Sequence, residues 1–329
     1  MRGTTGVFLV TLCLGAAAAR ANDSTAALTT GGLVLRADAD IEMRSEDLSI
    51  SRERIAVRYR FFNHSAVDRT VTVAFPMPEI EFRESVNVSV PDEDSDNFLK
   101  FRTLVDGREI VAHMEQKAFL DGGEVGERLR ALGVPLQPRA KKTLATLDAL
   151  PKEIRQKLLK EKLVREDDYD QGKGMEHHVA PEWSLRTSFY WEQTFPAGRE
   201  IIVEHAYAPS VGGSVQTGVA DKSRTPAEIE AYRTRYCPDK SFIAAVVAMT
   251  KKNGAPPPEQ RIAYVLKTGA NWAGPIGDFH LAIDKGDPAA LVSFCETGVT
   301  KTGPTRFDVH KTDFKPMRDL DILIIDASH

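Results

Sequence analysis

A chain of 329 residues, 42% hydrophobic and 27% charged, has enough apolar material for a substantial core, which excludes a disordered or low-complexity polymer. The formal charge is −4, from 43 Lys and Arg against 47 Asp and Glu, with no block of basic residues, and this argues against nucleic acid as a partner. Beyond the N-terminus the longest apolar runs, 242–249 and 322–325, fall well short of the roughly 20 residues a spanning helix needs, so no transmembrane segment is expected in the mature chain.

The first residues, "MRGTTGVFLVTLCLGAAAARANDS", have the layout of a secretory signal peptide. Arg2 supplies the positive region, Val7 to Ala19 the apolar stretch, and Ala19-Arg20-Ala21 the small residues before a cleavage point ahead of Asn22. Leu12 stands before Cys13 where a lipoprotein would have a small residue, so lipidation is set aside. Cleavage after Ala21 predicts a periplasmic or secreted protein, from which Arg2 and Arg20 are lost and no acid, leaving a net charge of −6. Cys237 and Cys295 are then the remaining cysteines. In an oxidising compartment they predict a disulfide, with two buried free thiols as the competing reading.

In chain order, "GGLVLRADADIEMRSEDLSIS" (31–51) predicts two short strands. In "RIAVRYRFFN" (54–63), Ile55, Val57, Tyr59 and Phe61 alternate with Ala56, Arg58 and Arg60, the period of a strand with one buried face. "RTVTVAFPMP" (69–78) repeats the alternation until Pro76 and Pro78 end it, and the two runs predict a hairpin across the polar turn 63–68. Strands continue through "ESVNVSV" (84–90) and 98–114, with Asp106-Gly107 as the strongest turn signal. From about residue 115 the apolar spacing changes to three and four. Leu147, Leu150, Ile154 and Leu158 form one stripe, and Pro151 suits the first turn of a new helix. This predicts a helical insertion near 116–170.

Strands resume at 181–209, where "FPAG" (195–198) turns between two of them. Thr225-Pro226-Ala227-Glu228 then reads as a capping box with Pro at the first helical position. A second helix begins after Asp239, with Phe242, Ile243, Val246 and Val247 as its buried face. Residues 261–326 read as five strands. The expected organisation is a signal peptide (1–21), a β-sandwich with its helical insertion (22–220), and a smaller part made of a helical hairpin and a C-terminal β-sheet (221–329). The fold class is mainly β (α+β), an antiparallel sandwich.

The segment "TGANWAGPIGDFHLAIDKG" (268–286) looks most like a site. Its glycines at 269 and 274 match half of a phosphate loop, but Pro275 and Ile276 stand where Lys and Ser or Thr belong. Residues 277–286 alternate like a strand, whereas a phosphate cradle needs a helix N-terminus. The segment therefore predicts a strand connection, with Trp272, Asp278 and His280 as candidates for lining a surface pocket. His177 and His178 are adjacent and would point apart on extended chain, and His205, His280 and His310 are scattered through strands, so no metal site is predicted. G-x-S-x-G is absent, and paired cysteines leave no free thiol, so no catalytic residue and no cofactor site are assigned. The sequons at Asn63 and Asn87 matter only in a eukaryotic secretory pathway.

"FFNHSAVDRTVTVAFPMP" together with "FRTLVDGREIVAHMEQKAFLDGGEVGERLRALGVP" resembles the vault/inter-alpha-trypsin (VIT) sandwich over roughly residues 50–135. The chain as a whole is similar to a bacterial exported family, domain-of-unknown-function family 4424. That likeness rests on "ADIEMRSEDLSIS", "VAFPMP", "FYWEQTFPAG", "YVLKTGANWAGPIGDF", "LVSFC" and "DLDILI". The resemblance implies a periplasmic or secreted setting and carries over no catalytic residue. The expected function is a non-catalytic binding or envelope-interaction protein with an unidentified envelope or protein partner. An exported hydrolase of envelope material and a structural or assembly factor are the alternatives.

Overall fold

The structure, a computed structural model, describes residues 22–327 apart from 30, 31, 82–86, 171, 173, 220 and 222. The expected signal peptide, and residues 84–86 of an expected strand, lie outside the described residues. Three sheets dominate. A six-stranded sheet has the spatial order Gly123–Glu124, His113–Leu120, Ser184–Phe195, Arg69–Pro76, Ser24–Thr29, Gly32–Arg36. An eight-stranded sheet runs Thr300–Lys301, Arg306–Phe314, Ile276–Asp284, Ile41–Ile50, Ile55–Asn63, Glu200–Tyr207, Arg102–Val105, Arg108–Ile110. A five-stranded sheet runs Leu291–Phe294, Leu320–Ile325, Glu259–Tyr264, Val211–Ser214, Asn87–Ser89. Pairing is antiparallel except between Ile276–Asp284 and Ile41–Ile50. The result is the mainly β, sandwich-like α+β fold expected from the strand pattern.

The alternation in the sequence is what builds the sandwich. Ile55, Val57, Tyr59 and Phe61 are at most 2% exposed while Arg58 and Arg60 face water. On the six-stranded side Val73, Phe75, Phe189, Trp191 and Phe195 point into the same core. Phe61 meets Phe195 at 5.7 Å and Phe75 meets His205 at 4.8 Å, centroid to centroid, across the two sheets.

The predicted hairpin between 54–63 and 69–78 does not form. Ile55–Asn63 pairs with Ile41–Ile50 and Glu200–Tyr207, whereas Arg69–Pro76 pairs with Ser184–Phe195 and Ser24–Thr29. The turn at 195–198 crosses between the same two sheets. Period two tells which face of a strand is buried and not which strand lies beside it. Asn63, fully buried, ties the two crossings together: its side chain donates to Val67 O and Phe195 O, and its carbonyl accepts from Gly198 N. The Asp106-Gly107 turn does join Arg102–Val105 to Arg108–Ile110, with both turn residues at positive φ.

The helical reading beginning near 115 is correct only further along. Residues 113–120 form a strand, because they complete the ladder on the open side of Ser184–Phe195. Helices are found at Gly126–Ala131, Lys141–Ala149 and Lys152–Lys160, burying Leu129, Leu147 and Leu158 completely, and Pro151 sits at the cap of the last. Trp183 closes this layer by donating its indole N–H to Leu136 O at 2.8 Å.

The five C-terminal strands all exist, but Ile276–Asp284 and Arg306–Phe314 join the eight-stranded sheet and the other three the five-stranded one. Strands from both sides of residue 220 therefore pair within two shared sheets. The capping box at Thr225 and Glu228 opens the helix Pro226–Tyr236, and Asp239 caps Lys240–Asn253. Tyr232, Tyr236, Phe242 and Val246 pack against Leu323 and Ile325. Val247, expected inside, is 50% exposed, since the helix rests on the sheet along a narrower stripe.

Cys237 ends the first of these helices in a left-handed conformation and bonds to Cys295, 58 residues on. The bridge fastens the helical hairpin to the strand Leu291–Phe294. Replacing both cysteines by serine should cost about 2–4 kcal/mol, from the loop length of the crosslink. Urea unfolding checks this, and an unchanged midpoint would show that the closed loop adds nothing.

Candidate functional site

The segment 264–279 encloses the beginning of the described chain. Asn22, Asp23 and Ser24 are fully buried. The Thr268 hydroxyl donates to Asn22 O at 2.8 Å, and the Trp272 indole N–H to Asp23 O at 2.6 Å. The Asn271 amide donates to the Ser24 hydroxyl at 2.9 Å. The Asn22 amide in turn donates to Leu266 O at 3.4 Å. Two glycines make room for this packing. A Cβ at Gly269 would lie 2.6 Å from Asn22 Nδ2, and one at Gly277 would lie 2.8 Å from Arg44 O, at the bulge in the pairing of Ile41–Ile50 with Ile55–Asn63. The loop is thus a cradle for a chain segment and not for a phosphate.

Behind the cradle lies a polar network inside the sandwich. His205 Nε2 lies 3.1 Å from both carboxylate oxygens of Asp23, and its Nδ1 lies 3.0 Å from the Thr103 hydroxyl. Hydroxyl, imidazole and carboxylate in this order have the connectivity of a nucleophile relay. All three residues are at most 2% exposed, so no substrate reaches them, and the arrangement locks the core. Beside it the Asn22 amide donates to Glu46 Oε2 at 3.0 Å, Tyr264 OH donates to Glu46 Oε1 at 3.3 Å, and the Tyr59 and Tyr264 hydroxyls meet at 2.9 Å. Desolvation pushes the Glu46 carboxyl up to about 8 against the lowering effect of these bonds, and raises Asp23 against the pull of His205.

A surface cleft of approximately 970 Å³ opens between the hairpin Arg102–Ile110 and the six-stranded sheet. Trp191 and Gln193, nearly buried, form its floor. Tyr190 and His113, rings 5.3 Å apart, stand beside it with Leu28 and Val111, both largely exposed. Arg108 and Glu192 line it and have no ion-pair partner among the described residues. The carboxylate of Asp106, by contrast, is held by Ile202 N at 2.9 Å. Trp191 touches His205 edge-on at 5.3 Å, so the cleft lies one ring from the buried Asp23–His205 contact.

The model of Domain of unknown function (DUF4424) matches residues 21–323. The chain belongs to that family. No curated protein matches it. A crystal structure from Legionella pneumophila subsp. pneumophila, described provisionally as a nutrient binding protein, is similar at 14% identity and a TM-score of 0.44, covering 93% of this chain and 70% of that one. Similarity at that level carries no argument about function.

In this DUF4424 chain the three expected pocket residues do not meet. Trp272 is 4% exposed and packs on Phe61 at 4.7 Å, inside the sandwich. Asp278 and His280 lie on the opposite, outer face of the strand Ile276–Asp284. There His280 bridges Asp47 at 2.9 Å and Asp308 at 3.1 Å, and Asp278 faces His310 at 3.3 Å. Among the described residues no group of three or more His, Cys, Asp or Glu is placed to hold a metal. The residues that matter inside, Asp23, Glu46, Thr103 and His205, carry no signal in the sequence. Each is a lone polar residue in or beside a strand, and what joins them is sheet stacking across up to 182 positions.

Glu46 makes stability depend on pH in a chain whose Asn22 nitrogen is still amide-linked to the residue before it. In the fold the carboxyl stays neutral up to about pH 8, whereas unfolded it ionises near 4.5. Its favourable contribution is therefore complete below the unfolded value and lost as the pH rises through the folded one. Glu46→Gln should remove that loss, raising the urea midpoint over the parent at about pH 8 and much less at about pH 5. An equal destabilisation at both pH values would overturn this reading.

Proposed function

We propose that the chain is an exported, non-catalytic binding protein whose ligand or envelope partner seats in the cleft between the hairpin Arg102–Ile110 and the six-stranded sheet. One observation carries the reading: this is where uncommitted chemistry gathers. Arg108 and Glu192, without an ion-pair partner among the described residues, line the cleft together with Tyr190, His113 and Trp191. Aromatic rings with a few convergent polar groups in a concavity are the usual make-up of a ligand site. The hydroxyl–imidazole–carboxylate relay at the molecular centre is enclosed, which favours binding at the cleft over catalysis at the centre.

Export to the periplasm or medium, with cleavage after Ala21, is supported by the leader-like first 21 residues and by the Cys237–Cys295 bridge, which suits an oxidising compartment. The bacterial origin of the family likeness fits the same reading. We also read residues 22–220, with their VIT-like strands, as the body that carries the cleft, and 221–329 as the smaller part stapled by the disulfide.

The test is a thermal-shift panel on the purified mature protein with sugars, amino acids and short peptides, nucleotides, organic acids and soluble envelope fragments. A cleft ligand should raise the melting temperature. Arg108→Ala and Tyr190→Ala should each weaken that ligand at least about tenfold while leaving the unliganded melting temperature unchanged. Binding that survives both substitutions would place the ligand elsewhere, and stabilisation by none of the classes would count against a ligand-binding role.

A further inference from the structure

The buried centre of the sandwich holds more acidic groups than basic ones. It holds two carboxylates, Asp23 and Glu46, both 0% exposed, and one imidazole, His205, which is taken by Asp23. The groups around Glu46 are the Asn22 amide and the hydroxyls of Tyr264 and, behind it, Tyr59, none of them cationic. A buried carboxylate without a cation is costly, and folds supply one or keep the acid neutral. A second deficit lies in the same place. Asn22 Oδ1 is buried and has no hydrogen-bond partner. Both deficits surround one residue, and that residue comes directly after the expected cleavage point.

We infer that the cradle built by Glu46, Leu266, Thr268, Gly269 and Trp272 is a binding site for the free α-ammonium group of Asn22. Removal of residues 1–21 then completes the core. The inference rests on the processing proposed above. Hydrolysis of the Ala21–Asn22 peptide bond consumes one water, leaves a carboxylate on Ala21, and turns the Asn22 nitrogen from an amide with one fixed N–H into an ammonium with three donors. That group donates to Asn22 Oδ1 within the same residue and gives Glu46 a cation. The cradle already holds this residue from several sides: Thr268 binds its carbonyl, Leu266 and Glu46 bind its amide, and the bare Cα of Gly269 leaves it space.

The experiment compares two mature chains, one beginning at Asn22 and one with a single Ala ahead of it, each with and without Glu46→Gln. The Asn22 chain should melt at least about 3 °C higher than the extended one. Glu46→Gln should have opposite signs in the two backgrounds: destabilising where the ammonium faces Glu46, stabilising near pH 8 where it does not. A purely steric effect of the extra Ala would leave the Glu46→Gln effect the same in both, and that result overturns the inference, as does equal stability of the two chains. The intact mass of protein recovered from an exporting host reads the processing separately. A chain that begins elsewhere overturns cleavage after Ala21, while the four-way comparison still decides whether the cradle prefers an ammonium.

Discussion

The Asp23–His205 pair is the interaction on which the rest of the molecule depends. A carboxylate and an imidazole, both fully withdrawn from water, are costly unless their geometry is held on every side. Here it is held by all the major parts of the fold. Asp23 enters beside the first strand of the six-stranded sheet, His205 belongs to the eight-stranded sheet, and Thr103 fixes the far ring nitrogen from the neighbouring strand. Trp272, from the connection between Glu259–Tyr264 and Ile276–Asp284, clamps the Asp23 carbonyl. Aromatic rings of Phe75, Phe101, Tyr59 and Trp191 surround the imidazole at 4.8 to 5.7 Å. Loosening any one layer would leave buried polar groups without their partners, so the layers are coupled through a few atoms.

That coupling explains the topology. The segments 64–68 and 195–198 carry the chain from one sheet to the other instead of folding it back on itself, and Asn63 bonds the two crossings to each other. Strands distant in sequence therefore become neighbours: Ile41–Ile50 pairs in parallel with Ile276–Asp284, and their closest approach requires the missing side chain at Gly277. C-terminal strands enter the same sheets as N-terminal ones, so the cradle and the segment it holds are built from opposite ends of the chain.

Local physics is legible in the sequence and long-range pairing is not. The alternation in 54–63, the Asp106-Gly107 turn, the Thr225 capping box, Pro151 between two helices and the Cys237–Cys295 bridge each depend on residues a few positions apart, or on the number of cysteines. The strand at 113–120 reads as helix because its apolar spacing fits either period and only the open edge of Ser184–Phe195 decides between them. Trp272 reads as a surface residue because the glycines around it suggest an exposed turn. Those glycines instead let a buried segment approach. For the candidate cleft no contiguous signal exists, since its walls come from four separate stretches of chain.

The two sites divide the chemistry of the molecule. At the centre most polar groups are committed to other parts of the fold, and all are enclosed, which suits a lock. At the cleft Arg108, Glu192, Tyr190 and His113 meet solvent, on elements whose backbone is already fixed by the ladders. Trp191 belongs to both: one side forms the floor of the cleft and the other meets His205. An occupant pressing on that ring would act on the imidazole that holds Asp23. Dense packing transmits such a displacement instead of absorbing it.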